Sequence, residues 1–172
     1  MYSTRLSSLS NIPYTLTALP SGRAGVKITL ATMAKVVNDS KRRPVVREFA
    51  RRLVQHLPGK DRIAEIKAAF YFVRDEVRYI RDIRGVETLH TPEKILQTMA
   101  GDCDDKALLI AALLESIGFQ CRFIGVGFTA GHISHVFTQV MNNGKWINLE
   151  TTEAWPMGSS PPGIKDFILQ VI

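Results

Sequence analysis

Residues 102–118, DCDDKALLIAALLESIG, constrain the fold more than any other stretch. Asp102 can accept hydrogen bonds from the unpaired amides of a first helical turn, and Gly118 supplies the left-handed residue that ends a helix. Between them Ala107, Leu108, Ala111, Leu114 and Ile117 make an apolar stripe at helical spacing. A helix this apolar must be largely buried, so the remaining elements have to pack around it. Its first turn carries Cys103, with Asp102, Asp104 and Asp105 beside it. That cysteine either does chemistry or fills a corner of the core.

The elements around this helix divide into a helical front and a strand-rich back. Residues 1–28 lack clear periodicity and are punctuated by Pro13, Pro20, Gly22 and Gly25, so they read as an extended arm. A single domain follows over 29–172, helical to residue 118 and strand-rich from 119. Val45, Val46, Phe49, Leu53 and Leu57 predict a helix that stops before Pro58-Gly59. Ile63, Ile66, Phe70, Val73 and Val77 predict another from about residue 61 to residue 80. Thr91 ahead of Pro92 caps a short helix through Met99. CRFIGVGF, HVFTQVM and KWINLE read as strands, and the NNG between the last two is a hairpin signal. The tail GSSPPGIKDFILQVI starts as a loop and ends as a final strand or as cover for a sheet edge. The fold class is α+β, with N-terminal helices on an antiparallel sheet.

A chain of 172 residues, 45% hydrophobic and 22% charged, can build one core without staples. Cys103 and Cys121 are too few for a disulfide framework, and no C-x-x-C spacing is present, so reducing conditions are expected. No apolar run approaches the roughly 20 residues of a membrane span, and the opening residues lack a secretory apolar core. The expected location is the cytoplasm, with virion association if the chain is phage-encoded. Residues 1–62 hold 12 Lys/Arg against 3 Asp/Glu, whereas residues 63–172 hold 10 against 13. The densest basic run contributes Lys41, Arg42, Arg43, Arg47, Arg51 and Arg52. These could meet nucleic acid or an acidic partner, or form a solvated helix face. Phe49 belongs to the apolar stripe, so no aromatic shares the basic face and a stacking platform for single strands is not supported.

A helix N-terminus favours an anion by about 0.3 to 1 kcal/mol, which lowers a thiol pKa by less than about one unit. The three aspartates push the other way, so Cys103 needs an imidazolium partner to act as a thiolate. His56 ends a basic helix and His90 precedes the Thr91 cap, and neither has a partner implied by sequence. His135 opens a strand. If Asn143-Gly144 form a two-residue turn, Phe137 lies opposite Glu150 and His135 opposite Thr152, which makes His135 and Glu150 diagonal neighbours on one face. A three-residue loop puts them on opposite faces. Asn148, opposite Gln139, competes as the residue that orients the histidine, and Glu150 is preferred on reach. His132, His135 and Cys103 make a weak zinc pattern, no metal or other cofactor is expected, and Cys121 reads as core. Asp104 and Asp105 are read as first-turn stabilisation, and Trp146 as packing beside the histidine.

GDCDDKALLIAALLESIGFQCRFIGVGF, followed by HVFTQV and KWINLETT, resembles the core of the transglutaminase-like superfamily, whose catalytic cysteine opens a helix after a G-[DE]-C motif. The upstream AAFYFVRDEVRYIRDIRGVETLHTPEKIL resembles it too, particularly the small versions encoded by tailed bacteriophages. The resemblance covers about residues 62–153 and weakens back to about residue 26. It implies a papain-like fold with a Cys103-His135-Glu150 triad; most relatives carry Asp at the third position, so Glu150 departs from the pattern. By the same resemblance Tyr79 is a candidate oxyanion donor. The implied chemistry is acyl transfer on protein or peptide-like amides, ending in hydrolysis or in transamidation. Nothing resembles the paired-carboxylate Ca²⁺ loops of regulated animal transglutaminases. A non-catalytic virion or assembly protein that keeps the fold, and contacts other phage structural proteins, is the alternative.

Overall fold

A computed structural model describes residues 20–59, 61–81 and 88–172. Helix α5 (Cys103–Ser116) is central: every residue from Ala107 to Leu114 is 1% exposed or less. The apolar stripe is therefore wider than its spacing predicts, and Leu109, Ile110, Ala112 and Leu113 are buried with it. Helices α1 (Arg23–Ser40), α2 (Pro44–Val54), α3 (Arg62–Tyr71) and α4 (Pro92–Thr98) all pack against it. The opposite flank meets a four-stranded antiparallel sheet, where the Thr138 hydroxyl donates to the Ala107 carbonyl at 2.8 Å.

That sheet contains β3 (Cys121–Gly127), β4 (His135–Asn142), β5 (Lys145–Leu149) and β6 (Asp166–Val171), in the order β5-β4-β3-β6. Asn143 and Gly144, at φ 49° and 74°, form the two-residue turn between β4 and β5. Positive φ at both positions suits Asn-Gly, because the turn then follows the twist of its strands. The apolar tail is a strand, β6, paired with β3 at the sheet edge.

Two boundaries differ from those expected. Residues 1–19 of the proposed arm lie outside the described residues, but Arg23 to Ile28 already belong to α1. The Arg23 guanidinium tethers that helix start to the Asp166 carboxylate at 2.8 and 2.9 Å and to the Phe167 carbonyl at 2.9 Å. Burial of Gly25, Thr29 and Leu30 on the same helix accompanies this tether.

The second difference is at α3, which ends at Tyr71 and passes through a π-helical turn, Phe72–Glu76, into a short strand β1 (Arg78–Tyr79). Strand β1 pairs in parallel with β2 (Ala100–Gly101), and these bonds replace the helical ones that apolar spacing predicts through residue 80. Among the described residues no helix is long and apolar enough to cross a membrane.

Candidate active site

The hairpin sets the histidine side of the site. Thr138 pairs with Leu149 and Gln139 with Asn148, a register that places His135 and Glu150 as diagonal neighbours. His135 Nε2 lies 2.6 Å from Glu150 Oε2. The other carboxylate oxygen accepts from the Thr152 amide at 2.9 Å and its hydroxyl at 2.6 Å. Glu150 is 1% exposed; burial pushes its carboxyl up, but His135 and Thr152 outweigh burial and hold it below the usual range. With Nε2 donating to an ionised Glu150, Nδ1 carries the lone pair that can take a proton.

Asn148 does not compete for that role. Its carbonyl oxygen accepts from Gln139 Nε2 and its amide donates to Ser160 Oγ, both at 2.5 Å, within a chain that Arg122 Nε extends by donating to Gln139 at 2.7 Å. Trp146 lies under the Arg122 guanidinium, 4.0 Å from ring centroid to carbon, and is not among the cleft-lining residues.

The helix side places the cysteine. Asp102 caps α5 by accepting from the Asp104 and Asp105 amides at 3.0 and 3.1 Å. The Cys103 thiol donates to Asp104 Oδ1 at 3.3 Å rather than to His135. Burial pushes this thiol up strongly, the Asp104 and Asp102 charges push it further, and the Val136 amide opposes them. Cys103 in this arrangement is a thiol. Cys121 is fully buried, and burial likewise raises its thiol.

Asp105 has a role that local helix-start reasoning misses. Its buried carboxylate accepts from the His90 amide at 2.9 Å and meets His90 Nδ1 at 2.7 Å. It also sits so close to Gly101 that a Cβ there would lie 2.5 Å from its own Cβ. The pair ties the loop before α4 to the helix that carries the cysteine. Nothing local marks it, because its partners are far apart in sequence.

Cys103, His135, Glu150 and Tyr79 line one cleft of about 470 Å³, with Arg81, Phe128, Glu153, Trp155 and Pro161. Tyr79 reaches it from β1, and burial and the nearby Cys103 raise its phenol, against a hydrogen bond from Arg81. Trp155 is held by Arg74, whose Nη1 donates to its carbonyl at 2.9 Å. His56, His90 and His132 do not line the cleft. Among the described residues, the potential ligand atoms that cluster are those of Asp102, Cys103 and Asp104, within 4.8 Å, rather than the His132-His135-Cys103 set. The cap and the thiol hydrogen bond already engage them.

The basic run stands apart from the cleft. Lys41 pairs with Glu115 at 2.9 Å, Arg43 with Glu93 at 3.2 Å, and Arg51 and Arg52 with Glu48 at 2.9 and 3.0 Å. Four of its six cations thus meet carboxylates of their own chain.

Residues 47–151 match the transglutaminase-like superfamily. Curated proteins show no significant match. Among solved structures, a candidate cysteine protease from Cytophaga hutchinsonii superposes with a TM-score of 0.53 at 15% identity, covering 74% of this chain and 50% of that one. EGTA-treated LapG from Legionella pneumophila superposes with a TM-score of 0.56 at 15% identity, covering 83% and 85%. The Rad4/XPC nucleotide excision repair complex contains a similar region, with a TM-score of 0.53 at 12% identity over 77% of this chain and 40% of that one. This chain spans half the length of the Cytophaga protein. Identities this low speak to the fold alone, whereas the family match extends over more than half of the chain and includes Cys103, His135 and Glu150. The chain belongs to the transglutaminase-like superfamily.

Proposed function

We propose that this protein is a cysteine hydrolase or acyltransferase that acts on protein or peptide-like amides through a thioester at Cys103. The observation that carries this reading is the 2.6 Å contact between His135 Nε2 and a buried Glu150, in the cleft that also holds Cys103. In this mechanism the thiol leaves Asp104 and meets the imidazole across the cleft. Its proton passes to His135 Nδ1 while Sγ attacks the carbonyl carbon. The tetrahedral oxyanion takes a hydrogen bond from the Cys103 amide at the helix start, with the Tyr79 hydroxyl as second donor. Collapse breaks the C–N bond, the imidazolium returns its proton to the leaving amine, and the acyl group stays on sulfur. Water or a second amine then attacks the thioester, with His135 again as base. Glu150 holds the imidazole tautomer throughout.

The test is the pH dependence of iodoacetamide alkylation, read by peptide mass spectrometry at Cys103 and Cys121, with His135→Ala beside the native protein. Cys103 is expected to react with an inflection below the free-thiol value of about 8.5, and to lose it in the variant. Slow, ordinary titration that ignores the mutation would sink the reading. It would favour the non-catalytic alternative of a phage virion or assembly part, for which the resemblance to phage-encoded versions speaks.

A further inference from the structure

Asp105 follows Cys103 by two positions on α5 and is 1% exposed. Burying a carboxylate costs desolvation that a helix-start aspartate at the surface avoids, so the group persists only with dedicated partners. It meets one segment of the chain at both of that segment's ends. At the start, Oδ1 accepts from the His90 amide at 2.9 Å and Oδ2 meets His90 Nδ1 at 2.7 Å. At the end, Gly101 lies against the same side chain, where a Cβ would come within 2.5 Å of Asp105 Cβ and 2.7 Å of Oδ2. Residues 90–101, which contain α4 and β2, are thus closed onto the cysteine-bearing helix by a single side chain. Ile95 packs the middle of the segment into the core, but apolar contact is non-directional and does not fix how far the two ends advance along α5.

This segment carries the strand that brings Tyr79 to the cleft. The Arg78 amide donates to the Met99 carbonyl and the Ile80 amide to the Gly101 carbonyl, both at 2.9 Å, and Tyr79 pairs with Gly101. β1 and β2 are each two residues long, and a ladder this short holds no position by itself. The place of β1 therefore follows that of Gly101, and Gly101 is set against Asp105. We propose that Asp105, together with His90, is a positioning residue of the site: it fixes the Tyr79 hydroxyl relative to Cys103 across the cleft that both line, so that the oxyanion formed on acylation meets its second donor. The role rests on the function proposed above, in which Tyr79 is that donor. It also accounts for the glycine at 101, since a side chain there would displace β2 from Asp105. His90 does not line the cleft, so its influence on the reacting atoms passes through Asp105.

Acylation and alkylation of the same sulfur separate this role from a general loss of structure. With p-nitrophenyl acetate, Cys103 Sγ bonds to the carbonyl carbon, the carbonyl oxygen becomes an oxyanion, and its collapse expels p-nitrophenolate. With iodoacetamide, sulfur displaces iodide from carbon and no oxyanion forms. The experiment reads both rates at Cys103 by peptide mass spectrometry at one pH and takes the ratio of acylation to alkylation. It compares native protein, Tyr79→Phe, His90→Ala, His90→Asn and the double variant His90→Ala/Tyr79→Phe.

Tyr79→Phe is expected to lower the ratio about tenfold, and His90→Ala to lower it at least about fivefold. His90→Asn, whose side-chain amide can place a donor near the position of Nδ1, should keep the ratio within about twofold of native. The double variant should fall little below the worse single variant, because the hydroxyl that the second change removes is already out of place. A folded His90→Ala with a native ratio, or losses that multiply in the double variant, overturns the role of Asp105 and His90 while leaving the triad reading intact. A native ratio in Tyr79→Phe removes Tyr79 as donor and the positioning role with it, again without touching the triad. If native Cys103 shows no His135-dependent reactivity, the triad reading itself fails first. If His90→Ala does not fold, Asp105→Asn, which keeps one acceptor oxygen, is judged by the same ratio alone and combined with Tyr79→Phe.

Discussion

On the sheet side of the cleft, His135 sits 2.6 Å from Glu150, and both carboxylate oxygens are occupied. On the helix side, Cys103 donates to Asp104 at 3.3 Å and is held as a thiol by burial and two aspartates. His135 is thus paired with Glu150, whereas Cys103 is not paired with His135. The sheet half follows from one hairpin whose two-residue turn fixes the register, so His135 and Glu150 have little freedom to be elsewhere. The helix half depends on the rotamer of a single short side chain. On the proposed reading, the thiol has to leave Asp104 before it can meet the imidazole.

The largest expected effect comes from damaging the assembled half. Glu150→Gln keeps the shape but removes the charge that orients His135, and should slow Cys103 alkylation at neutral pH about 100-fold. The same variant checks a pH dependence. Glu150 titrates below its unfolded value of about 4.3, so its stabilisation is fully present above that pH and is lost as pH falls through the lower folded value. Thermal unfolding in acid should therefore depend on pH less steeply in Glu150→Gln than in the native protein.

A smaller effect, of opposite sign, is expected from the other half. Asp104→Asn removes a charge that favours the thiol while keeping an acceptor oxygen, leaving burial as the main upward cause. Alkylation of Cys103 at pH 7 should rise roughly three- to tenfold. A slower reaction would mean that Asp104 presents the thiol rather than restrains it, and the contrast between the halves would have to be redrawn.

The smallest effect sharpens the assignment of the third member. Asn148→Ala breaks the polar chain to Gln139 and Ser160 but leaves the Glu150 contacts in place. The His135-dependent inflection should stay where it is and the rate should change by less than about twofold, since the lost partners are neutral and partly solvated. A loss comparable to that of Glu150→Gln would restore Asn148 to the site.

Much of this was legible in the sequence wherever the cause was local. Asp102 as cap, Thr91-Pro92 as a helix start and Asn143-Gly144 as a turn each act within a few residues, and each has the expected role. The Glu150 register follows from that turn by counting. Missed were the interactions whose partners are distant: Arg23 with Asp166, Asp105 with His90, and Lys106 with the carbonyls that end the π-helical turn. The α3 boundary belongs with them, because apolar spacing continues through Val77 while the backbone has already left the helix. Trp146 and Trp155 illustrate the same limit: both are tryptophans in the strand-rich half, and only packing reveals that Trp155 is the one lining the cleft.

By itself the sequence determined a buried helix that opens with a capped cysteine, and a hairpin that sets a histidine beside an acid. Both follow from periodicity and turn chemistry, which act over short separations. Only the tertiary structure decided which way the thiol turns, which carbonyls hold Lys106, and which aromatic residues line the cleft. Those outcomes depend on burial and on charges brought together from distant parts of the chain, and desolvation acts on a group only after the surrounding protein has excluded water from it.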